Sequence, residues 1–275
     1  MDYYLELSKR DLITKFKAEF NNGSFFLRDD GRIDRTLKIA HNTPWIHVKR
    51  SPNRHCGLYH IYHERLGFIH STCQECWKVV VRPRTLVELH KLLNLEKALE
   101  LPSKCGIEKR DTVCGHYGGY FYNDSLKEGR ECYKRIRLNV DLNLDPEVKV
   151  ILKRGCTEFE LAQGPSDKWE VSEEQKQMEY LLSDLVESSE DLRPQPEHLK
   201  DSVFRSWIHW AYANGDLTYL EYTNNHPLFK PPVTYHEEEK NEEKEKHSLG
   251  SAKRGNKSGR KVNTKTSSKT KKVKR

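Results

Sequence analysis

The sequence predicts an α/β fold: three strand–helix units in series, forming a small parallel sheet with metal-stapled loops, then a C-terminal helix and a disordered tail. Three observations predict it. Short apolar runs alternate with stretches of helical period, each helical stretch opens on a capping residue, and cysteines fall in the loops ahead of two of the strands. Three strands do not fix their own order, so a ferredoxin-like α+β sandwich is the competing architecture.

Residues 1–72 read as an irregular segment packed on the core, rich in His, Asn and Arg. Within it, "SFFLRDDGRIDRTLKIA" suits a hairpin about Asp30-Gly31, and "WIHVKR" and "LYHIYHERLGFIH" carry strand-like apolar residues. The core domain is expected over 73–190. "WKVVVRP" is a buried strand stopped by Pro83. In "TLVELHKLLNLEKALEL", Leu86, Leu89, Leu92, Leu93 and Leu99 recur at helical spacing, and Thr85 with Glu88 forms a capping box. The unit repeats. "HYGGYFYN" is a strand, and "SLKEGRECYKRIRLNV" a helix capped by Ser125 and Glu128, with Ile136 and Val140 on its inner face. "EVKVILKRG" is the third strand. "SEEQKQMEYLLSDLVES" is the third helix, from Ser172, with Met178, Leu181, Leu182, Leu185 and Val186 inward. The crossovers are long enough for parallel strands.

Residues 191–235 follow a proline-rich linker and supply a helix with Phe204, Trp207, Ile208 and Ala211 inward, then an aromatic strand or extended arm. From 236 to 275 apolar periodicity is lost, and disorder is expected. Residues 248–275 hold 11 of the 48 lysines and arginines and no acid, so the rest of the chain carries 37 basic against 41 acidic residues. The net charge of +7 therefore belongs to the tail, and the body is mildly acidic. No run of 18 apolar residues exists to span a membrane. Seven cysteines, an odd number, with no signal-peptide apolar core, favour reduced thiols and an intracellular, cytoplasmic location.

Cys73 and Cys76 precede a strand, the reverse of the redox dithiol order, in which the pair follows a strand and opens a helix. A tetrahedral metal site uses close pairs from separate loops. Cys105 and Cys114 make a second pair, with His116 near, and His55, Cys56 or His70 could replace one member. Zinc is the expected ion, with an iron–sulfur cluster as the alternative and unligated thiols as the plain reading. His60 and His63 read more simply as surface or hydrogen-bonded histidines.

In a parallel sheet, ligands bind beyond the carboxyl ends of strands. Arg82, Arg84, Lys153 and Arg154 would then converge on one edge as a site for a phosphate or nucleotide; the plain reading is that they pair with local acids. The polar segment "GCTEFELAQGPSDKW" supplies Cys156, Glu158, Asp167 and Lys168 as candidates for catalysis. A nucleophilic cysteine needs a histidine base, and His90 and His116 are available by count.

The functional expectation is a zinc-stabilised, nucleic-acid-associated protein whose tail contacts nucleic acid or another polyanion without sequence preference. The alternatives are a small-molecule enzyme acting on a phosphorylated or carboxylate substrate, and a structural or adaptor protein.

Overall fold

The computed structural model describes residues 25–28, 32–35, 43–49, 55–183, 194–233 and 235. The expectation of a disordered tail over 236–275 lies outside them, as do Leu185 and Val186. A two-stranded antiparallel ribbon pairs β1 (Phe25–Leu27) with β2 (Ile33–Arg35). The main sheet has five strands: β3 (Trp45–Lys49), β4 (Trp77–Arg82), β5 (Ser103–Ile107), β6 (Tyr117–Asn123) and β7 (Lys149–Arg154). Their order is β3-β5-β6-β4-β7.

Every neighbouring pair in this sheet is antiparallel. The expected parallel sheet is therefore wrong, and the reason is a strand the sequence reading passed over. β5 follows α3 (Leu86–Leu99) and turns straight back into β6, so β6 fills the space between β4 and β5. Likewise α4 (Leu126–Asn143) carries the chain from β6 across β4 to β7. Each crossover joins strands of like direction that are not neighbours. This βαββαβ order is the ferredoxin-like α+β arrangement, with β3 added beside β5.

Strand residues alternate between faces. Val79 and Val81 of β4, Phe121 of β6 and Val150 of β7 lie on one face, beneath Leu89 and Leu92 of α3 and Ile136 of α4. α7 (Glu197–Ala213) closes the same core with Val203 and Trp207, whose indole Nε1 donates to the Pro44 carbonyl at 2.9 Å. Ahead of α7, Gln195 accepts from His47 N at 2.9 Å and donates to Trp45 O at 3.2 Å, which occupies backbone groups of the outer strand β3.

The other face of β4 carries Lys78, Val80 and Arg82. A second apolar cluster lies on four further helices, α1 (Cys56–Leu66), α2 (Ser71–Gln74), α5 (Thr157–Gln163) and α6 (Glu173–Ser183). Leu58, Tyr62, Phe159, Met178 and Leu182 form it, together with Ile33 of β2. The strand-like reading of "LYHIYHERLGFIH" is thus corrected: it is helix α1, ended by Gly67 in the left-handed region at φ 77°, whose amide donates to His63 O. The aromatic segment after α7 is a 3-10 helix, Leu217–Tyr222, and not a strand.

Candidate functional site

Polar side chains meet where the second cluster's helices approach the sheet. Lys78, the second residue of the apolar strand β4, is 8% exposed. A buried ammonium needs a partner. Its Nζ donates to Cys156 Sγ at 3.0 Å. The backbone brings the two together. β4 and β7 pair through Lys78 and Lys153, and the amide of Gly155 just past β7 donates to Cys76 O at 2.7 Å. Gly155 sits at φ 59°, and a Cβ there would lie 2.5 Å from the Trp169 ring, so the turn that delivers Cys156 requires glycine.

His60, on α1, completes the group. It hydrogen-bonds Cys156 and stacks on Phe159 with ring centroids 4.6 Å apart. Burial alone pushes the Cys156 thiol up. The Lys78 charge, then hydrogen bonds from His60 and Lys78, outweigh it and bring the thiol down to about 6. In return the bond to Cys156 raises His60 against the opposing effect of burial. Cys156 is therefore drawn toward its thiolate form near neutral pH, with the His60 ring and the Lys78 ammonium beside it. Cys156 is half-buried and opens on a small pocket with Lys78, Cys56, Tyr59, Cys73 and Cys76. The free space is about that of one water molecule.

Alongside lies a second polar group. Glu108 accepts from Tyr120 Oη and from Arg110 Nη2, each at 2.6 Å. Burial raises the Glu108 carboxyl, but these bonds hold it down at about 2. Arg110 also donates to Glu158 Oε1 at 2.9 Å, which ties α5 to the sheet; the buried Oε2 of Glu158 has no hydrogen-bond partner. Lys104 sits 4.5 Å from the Trp45 ring, and burial, then the Lys78 charge, bring its amine down to about 8.

The four cysteines expected to hold one metal are not brought together. Cys76 precedes Trp77, which pairs with Asn123 at the end of β6, whereas Cys114 and His116 lie in the loop before β6 begins. The antiparallel register puts the two at opposite ends of that strand. Cys105 faces the helix-covered core, where burial and Glu96 hold its thiol up, and Cys114 is exposed. The alternate Cys56 does lie at the pocket with Cys73, Cys76 and Cys156. His70 caps α2, accepting from Thr72 N at 3.2 Å, and stacks on Tyr59. Among the described residues, no group of three or more His, Cys, Asp or Glu has the geometry of a metal site.

The expected anion edge is also dispersed. Arg82 pairs with Lys149 and Trp77 with Arg154, so Arg84 and Arg154 lie at opposite ends of the β4–β7 pair. Each cation has its own partners. Arg84 binds Glu88, Asp145 and Glu147, Arg82 donates to Tyr120 Oη, Lys153 binds Glu160, and Arg154 donates to the Gln74 and Ser166 carbonyls. Of the catalytic candidates, Cys156 and Glu158 stand at the polar layer, while Asp167 and Lys168 are exposed and pair with each other at 3.6 Å. His90 bonds Tyr222 at 3.0 Å and His116 packs near Trp210, so neither serves Cys156. Sequence reasoning missed Lys78 and His60. A lysine ahead of three valines in "WKVVVRP" is the signal that was there to find.

Neither the models of protein families, nor the curated proteins, nor the solved structures contain a match to this chain.

Proposed function

We propose that the chain is a thiol-dependent enzyme in which Cys156 attacks a small electrophile as a thiolate. The observation that carries this reading is the Lys78 ammonium 3.0 Å from Cys156 Sγ, at a pocket that the thiol shares. A buried ammonium is costly unless paired, and here its pairing holds a nucleophile in its reactive form. His60 supplies the proton that a leaving group needs. The narrowness of the pocket favours a small reacting group over a polypeptide.

Alkylation tests it. The rate at which a small haloacetamide modifies Cys156, followed by peptide mass spectrometry, should inflect near pH 6. In Lys78→Met the inflection should move toward the ordinary thiol value of 9.0, with labelling at neutral pH slowed by about tenfold or more. A labelling rate for Cys156 that inflects near 9.0 instead of near 6, whatever its absolute size, would overturn the reading. So would one zinc per chain released on Cys156→Ser, since a metal thiolate centre would then account for the clustered cysteines.

A second activity rests on charge alone. Residues 248–275 carry 11 cations and no acid, a composition suited to nucleic acid or another polyanion. The scattered, paired cations of the sheet give no support to a phosphate site there.

A further inference from the structure

Resting on the thiolate reading of Cys156, we infer that its electrophile is a hydroperoxide and that Cys73 is the resolving thiol, which closes a Cys73–Cys156 disulfide. Three observations lead here. The space beside Cys156 fits a group the size of water, which hydrogen peroxide resembles and most carbon electrophiles exceed. Cys73 lines that same pocket, as do Cys56 and Cys76, though 83 residues separate it from Cys156 in sequence. The two backbone segments touch: Gly155 N donates to Cys76 O at 2.7 Å, and a Cβ on Gly155 would lie 3.4 Å from Cys73 O. A disulfide requires close backbones of this kind.

The first step forms an S–O bond as the Cys156 thiolate attacks the peroxide, and the O–O bond breaks. Sulfur is oxidised by two electrons to sulfenic acid, and the peroxide is reduced. The departing oxygen takes the proton of the His60 imidazolium and leaves as water or an alcohol. In the second step the Cys73 sulfur attacks the sulfenic sulfur. The S–S bond forms, the S–O bond breaks, and the hydroxide leaves as water with the proton that Cys73 gives up. The order is built in. Burial, then the charges of Cys56 and Cys156, hold the Cys73 thiol up, so it stays protonated while Cys156 is a thiolate. Oxidation of Cys156 removes one of those charges.

The test treats the full reduced chain with hydrogen peroxide and maps the products by peptide mass spectrometry, with dimedone present to trap sulfenic acid. Wild type should yield a peptide pair joined through Cys73 and Cys156, and little dimedone adduct. Cys73→Ser should lose that pair and accumulate the adduct on Cys156 several-fold, while Cys76→Ser should still form it. A disulfide from Cys156 to Cys56 or Cys76 in wild type would overturn the assignment of Cys73. So would a sulfenic acid that persists in wild type. Either result leaves the thiolate reading standing if Cys156 still outpaces the other cysteines. Oxidation of Cys156 no faster than theirs defeats both. Because the wild-type map decides the pairing, poor folding of a variant does not rescue the proposal.

Discussion

Glu96 shows what one residue contributes and conceals. In sequence it is one more helix acid in "NLEKALEL", and nothing in the spacing sets it apart. In the structure it is 0% exposed, in the core beneath α3, beside Cys105 and Gly119. Burial raises its carboxyl well above the usual value of 4.5, so the folded protein holds it neutral. The sign of the consequence is fixed. Above pH 4.5 the unfolded chain releases this proton and the folded chain does not, so stability from this group falls as pH rises. Against Glu96→Gln, which cannot ionise, wild type should lose at most about 1.4 kcal/mol per pH unit from that point up to the raised value of the folded chain, read from urea midpoints of both proteins. A pH-independent difference would mean that Glu96 ionises in place. Lys78 and Cys156 are the converse case, two burdens on stability that offset each other. The polar segment around it points to Cys156, but its partners lie 78 and 96 residues away, and no local pattern joins them.

Elements were legible where their signals are local. All three capping residues do what the sequence implies: Thr85, Ser125 and Ser172 accept from the amides of Glu88, Glu128 and Gln175 at 3.2, 3.2 and 3.1 Å. Glu88 and Glu128 reach back one residue beyond the usual box, to the amides of Arg84 and Asp124. The strand expectation fails over α1 because Tyr and Ile favour strands by composition alone. Yet Leu58, Ile61, Tyr62 and Leu66 have helical spacing, and Gly67 marks the stop. β5 is hard to read because "SKCGI" is short and its cysteine invites a ligand reading; without β5, nothing in the sequence decides for the competing ferredoxin-like sandwich over the parallel sheet. One tie between elements is open to test. Asp216, past α7, accepts from Leu86 N at 2.6 Å, Tyr117 Oη at 2.7 Å and Thr218 Oγ1 at 2.7 Å. It joins the starts of α3, β6 and the 3-10 helix. Asp216→Ala should destabilise the chain by about 2–3 kcal/mol, measured by chemical denaturation, because buried donors lose their acceptor. A loss under half of that would show that water replaces the carboxylate.

At the scale of the molecule, two apolar clusters flank one sheet, and the polar layer between the sheet and the second cluster holds the candidate site. The described helices include none long and apolar enough to cross a membrane. The proposed polyanion binding belongs to the basic tail, residues 248–275. Truncation after Tyr235 should remove most affinity for DNA or RNA, and the steep salt dependence with it, while thermal melting stays nearly unchanged. Equal binding by the truncated chain would move that activity to the body. The central claim is that the polar layer makes Cys156 a thiolate near neutrality. The most direct measurement is the ultraviolet thiolate absorbance of wild type minus that of Cys156→Ser across a pH titration, which needs no reagent to enter the pocket. The difference should appear with a midpoint near pH 6; a midpoint near 9.0, the value of an ordinary thiol, would contradict the account.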